Sequence, residues 1–268
     1  MIIGKIHPGS GLGDQLFTYI TVRTIALDKG YDFGFVGKEF FKGKDFMQLD
    51  WGKDTDIKYR IEYPAGKLIT FTPDKYNVLG GESYNYFEIT TPYYNPEVNF
   101  IEDGTIIDAT CAQDERYWGH RLNEIREWLK VEPINWIDES NGNNICILNI
   151  RGGEYQIVSE LFLPKEYWDL AIEKMIGKYP NIKFEIHTDD PDLAMKWFPQ
   201  YIAIKDIALN WRSVRYAKHL ILSNSAFGIL PALLNENVKE VIAPHYWAGR
   251  NVAEWRRPQN YYKKFTYI

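Results

Sequence analysis

The segment Ile147–Gln156, ILNIRGGEYQ, ends a run of apolar residues with an arginine, two glycines and a glutamate. The guanidinium of Arg151 is permanently charged and presents a planar fork of donors that fits phosphate oxygens. Gly152 and Gly153 would let an anion approach the backbone, and Glu154 could accept a proton or hydrogen-bond a sugar hydroxyl. A surface turn held by an Arg–Glu pair is the alternative interpretation. The pattern favours an anion site at the carboxyl end of a strand.

Small polar residues follow a second apolar run, in the segment LILSNSAF. The hydroxyls of Ser223 and Ser225, the amide of Asn224 and the N–H groups at the start of the next helix would suit phosphate or ribose. The same residue types are common helix caps, so both interpretations stay open.

The segment IHTDDPD puts Asp189 and Asp190 at the end of another strand-like run. Helix capping explains Asp190 well and Asp189 less well. A carboxylate metal site is the less favoured alternative, because the 5 histidines show no ligand spacing that would complete it. We therefore predict no bound metal.

A glycine-rich segment, GSGLGDQ, lies between the strand-like IIGKIH and the helical QLFTYITVRTIALDKG. Gly9, Gly11 and Gly13 would allow a ligand to approach closely and would expose N–H groups at the helix start. The spacing lacks the full dinucleotide fingerprint and the Lys-Ser/Thr pair of a nucleotide P-loop. A ligand loop and a tight structural turn are equally compatible with it.

Alternating strands and helices are predicted to position these residues. The first half begins as a strand–loop–helix–strand unit that ends in YDFGFVG. The second half alternates the strands ICILNI, KFEIHTDD, IAIKDI, LILSNSAF and a last strand EVIAP with the helices LPKEYWDLAIEKMIGKYP, DPDLAMKWF, ALNWRSVRYAKH and GILPALLNE. This alternation predicts parallel, doubly wound sheets, in which ligands bind beyond the carboxyl ends of the strands. The polar residues described above all lie at such ends.

Two domains are predicted, 1–140 and 141–268. Residues 38–105 mix short strand-like pieces with Gly and Pro turns and are expected to form an irregular insertion. The polar segment EPINWIDESNGNN is the expected linker, and the final helix or tail has the length to cross back from the second domain.

Composition excludes several classes of protein. The formal net charge of −5 argues against a broad nucleic-acid-binding surface. The 2 cysteines are too few for a disulfide framework, and no stretch reads as a signal peptide or a membrane span. The high aromatic content, 16%, is more typical of cores than of ligand contacts. We expect a cytoplasmic protein.

The order of these motifs resembles that of the bacterial α-1,2-fucosyltransferase family. GSGLGDQLFTYITVRTIA is similar to the G-G-L-G-N-Q-L-F-Q-Y start of that family, and CAQDERYW with IREWLKV is similar to its Y-W-Q-S-E-K-Y-F and I-R helix. LNIRGGEY stands where the family has V-H-x-R-R-G-D-Y, and FEIHTDD where it has F-x-x-F-S-D-D. YAKHLILSNSAFGILPALLN and VIAPHYW resemble C-K-H-x-I-x-A-N-S-S-F-S-W-W-A-A-W-L-N and V-I-A-P-x-x-W. The matches run in order over most of the chain, and residues 38–105 are the least covered.

The resemblance implies a GT-B-type, metal-independent, inverting glycosyltransferase with two Rossmann-like halves. It implies no cofactor: a GDP-sugar is the donor substrate and a glycan is the acceptor. Residues 1–140 would form the acceptor side and residues 141–268 the nucleotide-sugar side, with the loop 9–15 lining the wall opposite the donor.

The resemblance also implies roles for single residues. Arg151 would bind the donor β-phosphate and stabilise the departing GDP. Asp190 would accept from guanine or ribose, Phe227 would pack beside the nucleotide, and Glu154 is the candidate base. The predicted catalytic residues are Arg151 and Glu154. The predicted substrate-binding residues are Gly11, Gly13, Asp14, Gln15, Asn149, Gly153, Asp190, Ser223, Asn224, Ser225 and Phe227.

Several positions depart from the family pattern. Asn149 replaces the motif histidine, Gly152 the second arginine and Glu154 the aspartate, and Asp14 replaces the Asn of the first loop. The lost arginine removes a charge from the expected diphosphate site. A transferase for another nucleotide sugar and a non-catalytic nucleotide-sugar or glycan-binding module are therefore the alternatives.

Overall fold

Short apolar strands and the helices between them form two parallel sheets. The computed structural model describes residues 1–55, 85–89, 93–133, 144–249 and 262–268. The chain divides into two units, which we call unit 1 (Met1–Lys42 and Leu49–Trp128) and unit 2 (Gly43–Gln48 and Leu129–Ile268). Residues 56–84 and 90–92 of the predicted insertion, 134–143 of the predicted linker and 250–261 of the predicted tail region lie outside the described residues.

Unit 1 contains a parallel sheet with the strand order β2-β1-β4-β3. Its first strand is buried along its whole length, as expected for a strand inside a parallel sheet. The first helix is buried on most of its surface and ends at Gly30, whose φ of 68° is in the left-handed region that glycine adopts without strain. The elements of unit 1 are β1 (Ile2–Lys5), α1 (Leu12–Lys29), β2 (Phe33–Val36), β3 (Asn85–Glu88), β4 (Thr105–Asp108) and α2 (Leu122–Trp128).

Unit 2 contains a six-stranded parallel sheet with the order β10-β9-β8-β5-β6-β7. Its elements are β5 (Ile145–Ile150), α3 (Lys165–Lys178), β6 (Lys183–Thr188), α4 (Pro191–Trp197), β7 (Ile202–Ile204), α5 (Ile207–Tyr216), β8 (His219–Leu222), α6 (Ala226–Leu234), β9 (Glu240–Ala243) and β10 (Thr266–Tyr267). This is the order of a doubly wound sheet: successive strands are added on one side of β5 and then, from β8 onward, on the other. The predicted α/β class with parallel sheets is confirmed. The prediction that EVIAP is the last strand is wrong, since β10 follows it and pairs in parallel with β9.

The core of unit 2 explains much of the aromatic content of the chain. Leu148, Ile186 and Ile221 of the sheet pack in one cluster with Trp168 and Met175 of α3, and all five are at most 1% exposed. Burying side chains of this size supplies most of the favourable free energy of folding. None of the helices in the described part of the chain is long and apolar enough to cross a membrane.

Candidate functional site

The order of strands in unit 2 reverses between β5 and β8, which are neighbours in the sheet. The loops that follow these two strands therefore leave the sheet in different directions and leave a crevice between them. The loop after β5 begins with Arg151, and the loop after β8 contains Ser223, Asn224 and Ser225. The backbone N–H of Ser223 donates to the carbonyl of Asn149 at 3.2 Å, which joins the two loops at their base. The topology thus brings together two segments that the sequence predicted to form the site.

Arg151 lies between two carboxylates. Its Nη1 contacts Asp189 Oδ2 at 2.5 Å, and its Nη2 contacts Glu154 Oε1 at 2.5 Å. The guanidinium also lies 5.2 Å from the centre of the Tyr155 ring. The Arg151 side chain is 29% exposed and that of Glu154 is 70% exposed, so the pair with Glu154 is the one that solvent and solutes reach more readily.

Positions 152 and 153 require glycine because Asp189 and Asp190, which join β6 to α4, lie close to the loop after β5. The N–H of Gly152 donates to Asp189 Oδ1 at 2.9 Å, and that of Gly153 donates to Asp190 Oδ2 at 3.2 Å. A Cβ on Gly152 would lie 2.6 Å from the Cβ of Asp190, and one on Gly153 would lie 2.4 Å from Asp189 Oδ2. The φ of Gly153 is 35°. With this backbone there is no space for the second arginine of the fucosyltransferase motif at position 152.

Asp190 is mainly a structural residue in this geometry. Its Oδ1 accepts from the N–H of Leu193 at 3.1 Å and so caps the N-terminus of α4, as the sequence predicted. Its Oδ2 accepts from Gly153 and from the side-chain amide of Gln156. Both carboxylate oxygens thus hold the protein's own loops, and the predicted contact with guanine or ribose would compete with these bonds.

The N-terminus of α6 differs from that of α4 because no side chain caps it. Ser223 and Asn224 are each 1% exposed. Asn224 Nδ2 donates to the carbonyls of Leu161 (2.8 Å) and Trp247, which ties the loop after β8 to two others. Within the described residues, Ser223 Oγ and Asn224 Oδ1 have no hydrogen-bond partner. Unmet polar atoms beside an uncapped helix N-terminus favour a ligand that accepts and donates hydrogen bonds.

Asn149 and Phe227 are used in packing. Asn149 is 5% exposed, and a Cβ on Gly228 would lie 2.4 Å from its Oδ1, so the side chain fills the space where α6 passes β5. Phe227 lies edge-on to the buried Trp211, with ring centroids 5.8 Å apart. Both residues make packing contacts within unit 2, and the substrate contacts predicted for them stay predictions.

The predicted residues of the glycine-rich loop belong to unit 1. Gly11 is the N-cap of α1 and has no side chain to cap it, Gly13 is buried in the first turn, and the carboxylate of Asp14 approaches Gly11. Gln15 is 1% exposed, and its amide bonds the carbonyls of His7 and Phe40 and the N–H of Lys42. The structure gives Gln15 a bracing role, because its amide is occupied by the backbone.

A cluster of charged residues at the carboxyl edge of the unit 1 sheet was missed by the sequence analysis. Asp108, at the end of β4, accepts from His7 (2.8 Å), Lys5 (3.4 Å) and Tyr86 (3.0 Å). Burial alone would raise the pKa of Asp108, but the bonds and charges of His7, Lys5 and Tyr86 lower the pKa below its ordinary value. The sequence did contain a signal for this cluster, because His7 and Asp108 each stand near the carboxyl end of an apolar strand.

The acidic residues do not form a metal site in the part of the chain that the structure describes, where no three His, Cys, Asp or Glu side chains are grouped to hold an ion. Two carboxylates, those of Asp189 and Glu154, contact the Arg151 guanidinium. A diphosphate at this position would have to displace one of them, and Glu154 is the more exposed of the two, at 70% against 28%.

No family model matches the sequence, and no curated protein matches it. Among solved structures, the chain resembles NodZ α-1,6-fucosyltransferase soaked with GDP-fucose, with a TM-score of 0.48 and 15% identity over 90% of this chain and 93% of that one. A structure of fucosyltransferase NodZ from Bradyrhizobium gives a TM-score of 0.47 and 13% identity over 90% and 93% of the two chains. Likenesses at this level do not identify the family of this chain.

Proposed function

We propose that this protein is a metal-independent, inverting glycosyltransferase that moves L-fucose from GDP-fucose to a glycan hydroxyl, with the α-1,2 linkage of the family it resembles. The observation that carries the proposal is the reversal of strand order between β5 and β8, where the segment Ser223–Ser225 leads into an uncapped helix. The ordered motifs of the sequence support the same assignment. The cytoplasmic location expected from the sequence belongs to this proposal.

The N-terminus of α6 would bind the diphosphate of the donor. Aligned peptide dipoles and free N–H groups make a helix N-terminus a favourable place for an anion. The hydroxyl of Ser223, which has no partner among the described residues, would donate to a phosphate oxygen. Arg151 would exchange its exposed partner Glu154 for a phosphate oxygen and keep Asp189 as its orienting partner.

The reaction would proceed by attack of an acceptor oxygen on the anomeric carbon of fucose. The bond from that carbon to the β-phosphate oxygen breaks as the new C–O bond forms, and its electrons stay on GDP. Stabilising the charge that develops on this oxygen is the role of Arg151 and the α6 N-terminus. Glu154 remains the base predicted from sequence, and its pair with Arg151 also makes it a competitor of the phosphate.

Replacing Ser223 with alanine tests the donor site. Ser223→Ala removes a buried hydroxyl without a partner in the described structure, so the free protein should be equally stable or more stable. GDP binding, measured by calorimetry, should weaken about 5- to 10-fold, the equivalent of one hydrogen bond. Ser213, in α5, has a buried hydroxyl of the same kind and is the matched control. Ser213→Ala should leave GDP binding unchanged.

Replacing Arg151 tests its role with the phosphate. Arg151→Ala should weaken GDP binding at least 10-fold, the usual value of a charged hydrogen bond. Arg121, which also pairs with two carboxylates, Asp28 and Glu124, is the control. Arg121→Ala should bind GDP like the wild type. If the wild type does not bind GDP at millimolar concentration, the proposed function is wrong. If Arg151→Ala binds GDP as tightly as the wild type, only the role of Arg151 is wrong.

The two carboxylates on Arg151 and the glycine at position 152 favour two alternatives. One is a transferase for another nucleotide sugar, and the other is a non-catalytic binding module. A thermal-shift screen of nucleotide sugars shows which of them the protein binds. Transfer assays with GDP-fucose and glycan acceptors separate an enzyme from a binding module, and excess EDTA in these assays tests whether transfer needs a metal ion. NMR of the product separates an α-1,2 linkage from other linkages.

A further inference from the structure

A groove on the surface of unit 2 lies apart from the site proposed for the donor. Its volume is about 310 Å³, and it runs between α3 and residues 197–201, which end α4 and lead into β7. The described residues that line it belong to these two segments and not to the loops after β5 and β8. Its volume is at the lower end of the range of small-molecule sites. The groove is therefore a second candidate binding site, separate from Arg151 and Ser223.

The wall formed by residues 197–201 is aromatic. Phe198 is 3% exposed and belongs to the core, and its ring is stacked with that of Tyr201 at a centroid distance of 6.0 Å. The ring of Trp197 lies 6.5 Å from that of Phe198 and 5.6 Å from that of Phe162. Trp197 and Tyr201 are half-buried, so part of each side chain packs in the protein and the rest faces solvent. This wall is an aromatic surface that core packing holds in place.

The opposite wall is one face of α3. Lys165, Asp169 and Glu173 follow one another at intervals of four residues, which places them on the same side of the helix. The Nζ of Lys165 lies 2.6 Å from Asp169 Oδ1 and 4.7 Å from the centre of the Phe198 ring. Ile176, 42% exposed, continues the row with an apolar side chain. Lys165 thus joins the two walls and compensates the charge of Asp169.

Four polar side chains of the groove have no hydrogen-bond partner among the described residues. They are the carboxylate of Glu173, the amide of Gln200, the hydroxyl of Tyr201 and the indole N–H of Trp197. The indole only donates, the ionised carboxylate only accepts, and the amide and the phenol do both. A ligand with several hydroxyl groups can satisfy all four in place of water.

The charges of the groove favour a neutral ligand. Asp169 is offset by Lys165, so Glu173 is the carboxylate without an ion-pair partner in the described part of the groove. The two carboxylates would repel a phosphate or sulfate group. The place that suits a cation, between a carboxylate and the face of the Phe198 ring, is already taken by Lys165. A sugar ring fits what remains, because its C–H faces pack on aromatic rings and its hydroxyls both donate and accept.

We propose that this groove is a binding site for a neutral glycan, separate from the site of transfer. A sugar ring packs on the exposed parts of Trp197 and Tyr201, and its hydroxyls bond to Glu173, Gln200 and the phenol of Tyr201. The groove binds the sugar whether or not the protein transfers fucose, so this inference does not depend on the proposed function. In a transferase, such a site would keep a polymeric acceptor attached to the protein between transfers.

Titration of the full chain with uncharged oligosaccharides tests the site without any activity. The probes are maltohexaose, cellohexaose, xylohexaose, mannohexaose and chitotetraose, each at millimolar concentration. At least one of them should shift the NMR signal of the Trp197 indole N–H, which Trp197→Phe assigns. Arg151→Ala should show the same shift, because Arg151 does not line the groove. If no probe shifts this signal, or if Arg151→Ala abolishes the shift, the proposal is wrong.

Conservative variants show whether the sugar lies in the groove. Glu173→Gln and Tyr201→Phe each change one hydrogen-bonding group and keep the shape of the side chain, and each should raise the Kd of the bound oligosaccharide about 3- to 10-fold. Tyr179 packs against the same core cluster as Tyr201 and does not line the groove. Tyr179→Phe is the control and should bind like the wild type. Unchanged affinity in both Glu173→Gln and Tyr201→Phe would overturn the proposal.

Salt and charged probes test whether the ligand is neutral. The Kd of the oligosaccharide should stay within about 2-fold between low and high salt, because salt screens interactions between charges. Spermidine, a cation, and trigalacturonate, an acidic sugar, should leave the Trp197 signal unchanged at the same concentrations. Tighter binding of either charged probe than of every neutral one would contradict the assignment of this groove to a neutral glycan.

Discussion

The carboxylate of Asp108, at the end of β4, contacts three polar side chains. It accepts from His7, Lys5 and Tyr86 while it is almost fully buried. A buried carboxylate is stable only when its charge is compensated in this way. The same compensation makes its protonation state depend on the fold, and therefore makes the stability of the fold depend on pH.

Replacement of Asp108 should change the pH dependence of stability. The pKa of Asp108 in the folded state lies below its ordinary value, so the ionised group stabilises the fold above about pH 4. This contribution is lost as the pH falls through the lower pKa of the folded state. At pH 7, Asp108→Asn should lower the free energy of unfolding by about 3 kcal/mol, because His7 and Lys5 lose their partner. In urea titrations the difference from the wild type should shrink below about pH 4.

The surface residue Asp28 is the control for this experiment. Its side chain is 36% exposed and pairs with His120 and Arg121. Asp28→Asn should cost less than about 1 kcal/mol, as is usual for exposed pairs. A difference between Asp108→Asn and the wild type that stays constant from pH 7 to pH 3 would contradict the assignment.

Gly152 should be intolerant of any side chain. A Cβ there would meet Asp190 Cβ at 2.6 Å and Leu193 Cδ2 at 2.9 Å. Gly152→Ala should therefore destabilise the protein by about 1–3 kcal/mol, as overpacking does. Gly177, in α3, has no atom within 4 Å of an added Cβ, and Gly177→Ala should stabilise by up to about 1 kcal/mol through helix propensity. Thermal unfolding of the two variants should shift in opposite directions, and equal shifts would show that the contact at Gly152 is wrong.

At the scale of elements, the start of α4 is joined to the loop after β5. Asp190 caps the helix and also holds Gly153 and Gln156, so one side chain sets the position of the loop that carries Arg151. By contrast, no side chain caps the start of α6. Of these two helix starts, that of α4 is occupied by the protein and that of α6 is available to an anion.

Two aspartate caps should differ in their contribution to stability. Asp190→Ala removes a cap and two further bonds, and should cost about 2–3 kcal/mol. Asp206, whose side chain accepts from Leu209 N–H at 2.7 Å, caps α5, and Asp206→Ala should cost about 1 kcal/mol. Urea unfolding measures both. If the two variants lose the same stability, the bonds of Asp190 to Gly153 and Gln156 contribute nothing.

At the scale of the whole molecule, each unit has its own parallel sheet and its own point of strand reversal. Polar residues lie at both points, and the charges of these residues differ between the two units. Unit 2 offers an uncapped helix start, Ser223 and Arg151, and unit 1 offers His7, Asp108 and Asp14. The permanent charge of Arg151 and the Ser223 hydroxyl, which has no partner among the described residues, are the basis for proposing a nucleotide site in unit 2.

Hydrogen exchange should locate the proposed GDP site. At a GDP concentration 100 times its Kd, binding stabilises the ligand-bound regions by up to about 2.7 kcal/mol. Amides in 151–156 and 223–229 should therefore exchange more slowly with GDP. Protection by GDP that appears in 7–14 and not in 223–229 would contradict a donor site in unit 2.

The sequence by itself determined the local features of this protein. Apolar periodicity predicted most strands and helices, the Asp-Pro pair predicted the cap of α4, and Gly30 predicted the end of α1. These features depend on neighbours within a few residues, so the sequence contains the information directly. The polar residues at strand ends were predicted for the same reason.

The tertiary structure alone decided how these pieces combine. It set the strand order of each sheet, paired Arg151 with Asp189 and turned Gln15 toward the backbone. It also joined His7 to Asp108 across 101 positions of sequence, where no local pattern connects them. Strand order and side-chain partners result from packing between distant segments, and spacing within one segment carries no information about which distant residue it will meet.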